Sequence, residues 1–354
     1  MDDIMLSAAQ WRSLCRRIIA SWGAPDDIAA CVGDSLVDAE LAGVPSHGIV
    51  RIPSYHDYVK EGSYRPAARP EVVHDAGVAV VVDGHWGFGQ PAVRLALEAG
   101  MARARAQGMA GVSVVNAGHV GRLGEYVEHA AAAGMIGLMC TSSGGRGGVV
   151  APYGGMERVF STNPMAAGVP AGSHPPFVMD FATTVVAAGK VEMAVDQEMP
   201  IPEGVGLDKK GSPATVAREV MQGGSMLPFG AHKGYALMLL VELLGGALTG
   251  AGVPGRPEGV HPVQPGSNAS FLVLIDIEHF TGLEAFYSDV DGLLERLKKV
   301  RPATGFQEVL IPGELEARAR ARNEAAGITL DGVIWEQVGS VAAEHNLNLD
   351  ALLG

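Results

Sequence analysis

Residues 5–42 carry apolar side chains at helical period, interrupted at Gly23-Ala24-Pro25. They predict two helices, with Ser7 a start signal for the first and 28–41 the body of the second. A stretch rich in Pro and Gly at 62–70 reads as a linker. From Glu71 the texture changes. Val78-Ala79-Val80-Val81-Val82, closed by Asp83-Gly84, predicts a strand and a turn. Further strands are expected at 112–116, 135–141, 177–180 and 270–277, alternating with helices at 90–107, 125–133 and 183–192. That alternation predicts an α/β layer structure with buried strands. Residues 143–148 and 153–155 read as glycine-dense loops and 161–164 as a turn. Residues 223–234 read as a polar, glycine-bearing loop, and 235–248 as a buried helix. Beyond the last strand the pattern is helical again, at 290–300, 313–323 and 332–345. The two helix-rich ends most economically pack together. They predict a discontinuous helical domain of residues 1–70 and 283–354, joined to an α/β domain of residues 71–282.

Composition narrows the class. A chain of 354 residues, 47% apolar and with 48 glycines, can bury a large core between many tight turns. A formal charge of −13 argues against nucleic acid as a partner, so an anionic substrate would need local arginines to hold it. Cys15, Cys31 and Cys140 are too few and scattered for a disulfide framework, and no Cys-x-x-Cys pair offers a zinc site; no metal is expected. The acidic start Met1-Asp2-Asp3-Ile4 lacks a signal-peptide core, and the apolar run around 235–244 is interrupted by Glu242. A cytoplasmic protein, free of the membrane, is the expectation.

Candidate chemistry concentrates in Pro45-Ser46-His47-Gly48-Ile49-Val50-Arg51-Ile52-Pro53-Ser54-Tyr55. His47, Arg51 and Tyr55 fall four residues apart and would share one helical face. Together they can protonate an oxygen, clamp a carboxylate and donate a further hydrogen bond. Ser46 is an N-cap candidate whose helix end would favour neutral His47. Pro53 must either kink this helix or open a second one. A second stretch, Gly118-His119-Val120-Gly121-Arg122-Leu123-Gly124, follows a predicted strand and presents His and Arg from a glycine-rich turn. Gly250-Ala251-Gly252-Val253-Pro254-Gly255 matches a dinucleotide-binding spacing, but it follows a helix and Arg256-Pro257-Glu258-Gly259 comes next, so it reads as a loop. Walker, zinc-protease and serine-hydrolase motifs are missing. His56, His74, His85, His129, His174, His261, His279 and His345 receive no role.

Six motifs occur in one order: Ser46-His47-Gly48 with Arg51, Gly118-His119-Val120-Gly121, Ser161-Thr162-Asn163-Pro164, Asp180-Phe181-Ala182-Thr183, Phe229-Gly230-Ala231-His232-Lys233-Gly234, and Ile311-Pro312-Gly313-Glu314. Together they resemble the type-2 malate/L-lactate dehydrogenase family over about residues 8–326. That family also includes sulfolactate, ureidoglycolate and diketogulonate dehydrogenases and cyclic-imine reductases. The resemblance implies hydride transfer with NAD or NADP, NAD being the first expectation, on a three-layer α/β body that is not a Rossmann domain. It also implies a homodimer with active sites between subunits. Carried onto this chain, His47 resembles the proton donor, Ser46 the hydroxyl coupled to it, and Arg51, Tyr55 and Thr162 substrate contacts. His119 is the acid/base in part of the family, so the choice between His47 and His119 stays open. His119, Val120, Gly121, Arg122, Leu123, Asp180, His232, Lys233, Pro312, Gly313 and Glu314 resemble cofactor contacts.

Physical readings run beside these. Thr162 and Asn163 could bond a substrate or only close their turn. Asp180 could hold a ribose hydroxyl or cap the helix after it. His232 and Lys233 could meet phosphates or lie on a solvated loop. Lys190 stands where cyclic-imine reductases tend to have an acidic relay residue, Leu315 where many relatives have Arg, and Arg146 near another basic substrate position. The expectation is a dehydrogenase interconverting a 2-hydroxy acid and its 2-oxo acid. The alternatives are an imine reductase forming cyclic or N-methyl amino acids, and a non-catalytic ligand-binding paralogue.

Overall fold

The computed structural model describes residues 3–256 and 262–349. Met1, Asp2, His261 and the end of the expected 250–259 loop, Pro257-Glu258-Gly259, lie outside the described residues. The elements in order are β1 (Ile4–Leu6), α1 (Ala8–Ser21), α2 (Asp26–Leu41), α3 (Ile52–Lys60), β2 (Glu71–Ala76), β3 (Ala79–Gly87), α4 (Gly89–Gln107), β4 (Met109–Ala117), α5 (Leu123–Ala132), β5 (Met135–Ser142), β6 (Met165–Val169) and β7 (Phe177–Phe181). Then come α6 (Ala188–Asp196), β8 (Gly206–Leu207), β9 (Pro213–Ala214), α7 (Ala217–Met221), β10 (Ser225–Met226), α8 (His232–Glu242), β11 (Asn268–Asp276), α9 (Leu283–Lys298), α10 (Glu314–Ala326), β12 (Ile328–Leu330) and α11 (Gly332–Glu344).

The main sheet has seven strands in the order β2-β3-β4-β11-β5-β6-β7. Only β3 and β4 run parallel. β11 arrives late in the chain and inserts antiparallel between β4 and β5, opposing Phe271 to Ser113 on one side and to Cys140 on the other. Val80, Val82, Val112, Val114, Leu272 and Met139 alternate onto one face, where Val93 and Leu97 of α4 and Val127 of α5 complete a core. Ser142 points to the opposite face, where a π-helical turn continuing α8 through Leu243–Leu248 sets Gly245 against it. The body therefore has three layers, as the α/β expectation requires.

A second core joins both chain ends. Trp11, Ile18 and Ile19 of α1 and Val32 and Leu36 of α2 pack with Ile328, Leu330, Val338 and Val341. A third, smaller core around Val150, Val191, Val205, Val220 and Met238 supports the three-stranded sheet β10-β8-β9, which the sequence reading does not anticipate.

Four local expectations change. The helix expected at 183–192 begins only at Ala188, because Thr183 spends its hydroxyl on the carbonyls of Thr162 and Asn163, both at 3.0 Å. The expected 223–234 loop contains β10 and the first turn of α8. The helix expected to be buried at 235–248 shows an open apolar face, with Leu239, Leu240, Leu243 and Leu248 each more than a third exposed. The linker at 62–70 is not free either, since Tyr64 is buried in the second core.

Candidate active site

His47, Arg51 and Tyr55 do converge, but not along one helix. Two short 3-10 turns, Pro45–His47 and Ile49–Arg51, precede α3, and Pro53 sits in its first turn, where a missing N–H costs nothing. Ser46 therefore lies inside a turn and caps no helix; its Oγ is 3.0 Å from His47 Nδ1. The bend between the two turns is imposed by Glu40 of α2, whose buried carboxyl accepts the Ile49 N–H at 2.8 Å. A Cβ at Gly48 would fall 2.1 Å from Glu40 Oε1, so no larger residue fits there. Arg51 folds back and donates through Nε to the Ser46 carbonyl at 2.6 Å. Its terminal nitrogens have no carboxylate partner among the described residues.

The strand-turn-helix expected around His119 is present between β4 and α5. Gly121 takes a φ of +80°, which lets the turn close tightly. Its N–H donates to His119 Nδ1 at 3.3 Å, and Tyr55 Oη lies 2.7 Å from the same nitrogen. The His119 backbone N–H donates to Tyr64 Oη at 2.7 Å, and Tyr64 in turn donates to the Gly266 carbonyl. Asn268 accepts the Val120 N–H. The His47 and His119 rings stack with centroids 5.5 Å apart.

Both imidazoles are held neutral. Desolvation, reinforced by the positive charges of Arg51 and Arg122, lowers His47 to about 4. Desolvation, with Arg51 and His47 beside it, lowers His119 well below the ordinary range. The neutral form expected of His47 is thus present, but its cause is burial beside an arginine and not a helix end.

A second cluster gathers other expected residues. Arg122 is sealed into an ion-pair set: Glu128 takes both terminal nitrogens at 2.9 and 2.7 Å, and Asp38, shared with Arg320, takes another bond at 3.1 Å. Leu123 opens α5, and Asp180 at the end of β7 accepts the Gly124 N–H at 2.7 Å. Asp180 does cap a helix, but it is α5 and not the helix that follows it. Although the residue is exposed, close packing around its carboxyl raises it to about 6. Pro312 accepts the Val178 N–H from the same strand, and Gly313 lies so close that a Cβ would meet Val178 at 2.9 Å. Glu314 is occupied by Lys298, Arg318 and the Ile311 N–H.

The remaining residues stand apart. Asn163, at a φ of +40°, accepts the Ser161 hydroxyl within its turn and donates to the Met238 carbonyl and to Glu242, tying the turn to α8; Thr162's hydroxyl has no partner among the described residues. His232 and Lys233 lie in the exposed first turn of α8, which no side chain caps. Lys190 is exposed on α6, whose Gly189 approaches Ser46. Arg146 is exposed in its loop, and Leu315 is exposed beside Glu314. Glu40, Tyr64, Gln90, Asn268 and the partners of Arg122 escape the sequence reading: most act on residues distant in the chain, while Glu40 and Glu128 lie within nine residues of Ile49 and Arg122 but carry no motif that marks the pairing. Among the described residues no group of three or more His, Cys, Asp or Glu could hold a metal.

The sequence profile of the malate/L-lactate dehydrogenase family matches residues 6–339. An L-lactate dehydrogenase of Cupriavidus necator is 35% identical over 347 residues, covering 97% of this chain and 98% of that protein. The solved structure of a sulfolactate dehydrogenase from Methanocaldococcus jannaschii superposes with a TM-score of 0.89 at 34% identity, covering 98% of this chain and 99% of its own. The delta1-piperideine-2-carboxylate reductase of Pseudomonas syringae pv. tomato superposes at 0.85 with 32% identity, covering 96% and 100%.

Proposed function

This chain belongs to the malate/L-lactate dehydrogenase family, and on that premise we propose that it interconverts a small 2-hydroxy acid and its 2-oxo acid using NAD. The observation that carries the reading is Arg51. Its Nε is braced on Ser46 while its terminal nitrogens have no carboxylate partner among the described residues, beside two neutral imidazoles in a chain of net charge −13. An arginine kept free of carboxylates in such a chain is a site for an anionic ligand, and its fork fits a carboxylate through two parallel bonds.

The nicotinamide, when bound, supplies or accepts the hydride at C2 of the acid. Arg51 clamps the C1 carboxylate. Neutral His47 takes the proton of the C2 hydroxyl during oxidation and returns it during reduction, with Ser46 coupled to its Nδ1. The bound carboxylate offsets the charge of Arg51, so His47 becomes easier to protonate when substrate is present. Tyr55 orients His119; Thr162, whose hydroxyl has no partner among the described residues, is a substrate contact by family resemblance alone.

The chain has fitting places for the cofactor. The uncapped first turn of α8, with His232 and Lys233, suits a diphosphate. Asp180, among Val120, Gly121, Leu123, Pro312 and Gly313, suits ribose hydroxyls and would repel a 2′-phosphate; the nearby Arg122 is offset by its partner Glu128, and Glu316 adds negative charge. That charge favours NAD. Arg122 and Glu314, already paired, act by holding this wall in place. The open apolar face of α8 supports a homodimer in which a second copy covers Leu239, Leu240 and Leu243; sedimentation of the protein as a monomer would refute it. Among the described residues no helix is long and apolar enough to cross a membrane. The three cysteines form no disulfide, which supports a reducing cytoplasmic setting.

The test is NADH and NADPH oxidation against oxaloacetate, pyruvate, sulfopyruvate and diketogulonate, with and without methylamine. Rapid NADH oxidation with one acid alone is expected. Activity only with amine would move the chain to imine reduction, a reading kept open by its likeness to the Pseudomonas syringae reductase. Silence with every acid would refute the proposal.

A further inference from the structure

Gln90, in the first turn of α4, is completely buried and its amide Nε2 donates to Tyr55 Oη at 3.0 Å. The direction of that bond is dictated from the far end of the chain. The Gly121 N–H can only donate, and it is aimed at His119 Nδ1 at 3.3 Å. Nδ1 must therefore present its lone pair, so Tyr55 Oη, 2.7 Å away, must donate to it as well. With its proton committed to His119, Tyr55 can only accept from Gln90. The amide orientation follows, and it leaves Gln90 Oε1 buried without a partner. A buried acceptor left unpaired is costly unless the donor on the same amide is needed.

We propose that Gln90 is a positioning residue that, by donating to Tyr55, keeps the Tyr55 proton on His119 and so secures the neutral tautomer protonated at Nε2 that the Gly121 N–H sets. The consequence separates two imidazoles that otherwise look interchangeable, and it rests on the reading of this centre as the site of hydride transfer. Locked in this way, neutral His119 has no lone pair left to act as a base. It can only donate a hydrogen bond from Nε2, the interaction that stabilises developing negative charge on the C2 oxygen during reduction. Proton exchange then falls to His47, whose Nδ1 meets only the rotatable hydroxyl of Ser46 and whose tautomer is free to change. Tyr64 contributes by fixing the His119 backbone through a second one-way chain, from the His119 N–H to Tyr64 and on to the Gly266 carbonyl. The charges felt by Tyr55 are those of Arg51 and Glu125, the latter held by Arg94 and Ser35, and neither hydrogen-bonds to Tyr55 or Gln90.

The direct test is 15N NMR of the whole protein labelled at histidine, with His119 assigned through its loss in His119→Gln. A protonated Nε2 and a bare Nδ1 are expected; a proton on Nδ1 would overturn the proposal. The functional test compares Gln90→Glu with Gln90→Leu. In Gln90→Glu the introduced carboxyl, while protonated, still donates to Tyr55, whereas once ionised it accepts from Tyr55 and reverses the chain. Gln90→Glu should therefore approach wild-type kcat at low pH and fall about 100-fold below it as pH rises. Gln90→Leu, which leaves Tyr55 free to donate to His119, should lose only a few-fold at every pH. Cofactor KM should stay the same in both. If Gln90→Glu matches or exceeds Gln90→Leu across the pH range, Gln90 merely fills space and the proposal fails. Full turnover in His119→Gln would instead remove His119 from the reaction, and the tautomer would still be decided by the NMR.

Discussion

Arg51 and Arg122 look alike in the sequence. Each follows a histidine within four residues, among glycines, in a motif of the same family. In the folded chain they are opposites. Arg122 has its side chain 2% exposed and spends its terminal nitrogens on Glu128 and Asp38, which with Arg320 close the cluster. Arg51 spends only Nε, on a backbone carbonyl, and keeps its fork open. A closed arginine chiefly holds structure, because carboxylates offset most of its charge, although His47 still feels part of it. An open one projects its charge onto its surroundings, and here it helps to keep His47 and His119 neutral. The surrounding chain shows the same division. Asp38, Glu128 and Asp180 crowd around the closed arginine, while Glu40, the acid under the open one, turns its carboxyl to the Ile49 N–H instead.

The largest effect should come from the group that the open arginine tunes. His47→Ala is expected to lower turnover by at least about 10³-fold, the usual scale for a lost acid/base, with the dissociation constant of NADH unchanged. Wild-type turnover in steady-state assays would exclude His47 from the chemistry. Breaking the closed arginine should act on stability. Arg122→Met leaves half-buried Glu128 without its bidentate partner, with only a 3.5 Å contact to the Arg320 that Asp38 also holds, and about 3 kcal/mol of unfolding free energy should be lost. A urea midpoint like that of the wild type would mean that the cluster is no more than a surface network.

Glu40 offers a finer test of how the open site is kept free of negative charge. Burial raises its carboxyl from an ordinary value of 4.5 to about 7. Between those values the unfolded chain has released a proton that the folded chain retains, so this group's contribution to stability falls as pH rises across the window. Glu40→Gln removes that dependence. Its unfolding free energy should be near that of the wild type at pH 4.5 and exceed it by about 3 kcal/mol at pH 8, the full worth of the shift. Urea midpoints at the two pH values measure it. A difference that stays constant with pH would show that Glu40 is ionised in the folded protein.

What could be read in advance follows the range of the interactions. β3, β4, β5 and β11 are legible because each is a run of buried apolar residues whose pattern needs no partner to interpret. β2 is exposed at every position and β6 has only Ala166, Ala167 and Gly168 between Met165 and Val169, so neither carries a strong pattern. The His47–Arg51–Tyr55 spacing points to the right residues through the wrong geometry: four-residue steps suggest one helix, whereas two 3-10 turns and Pro53 produce the convergence. Arg122 could not be read as closed: Glu128 is only six residues on, but Asp38, 84 residues away, and Arg320, farther still, are needed to complete the cluster. Gln90 is one polar residue at the head of an alanine-rich helix, and its meaning depends on the direction of a bond to Tyr55.

The smallest expected change is also the one that separates the two arginines most sharply. Arg51→Lys keeps the positive charge near His47, so the imidazoles should remain neutral and kcat should hold. It removes the planar fork, and a lysine cannot both reach the Ser46 carbonyl and present two parallel donors to an acid. The apparent KM for the 2-oxo acid should rise about tenfold, or about 1.4 kcal/mol, without any change in melting temperature. Arg122→Lys should show the converse, losing stability while keeping KM for the acid. If instead Arg51→Lys melted early and bound its acid normally, Arg51 would be a structural residue like Arg122, and the carboxylate clamp would have to be sought elsewhere.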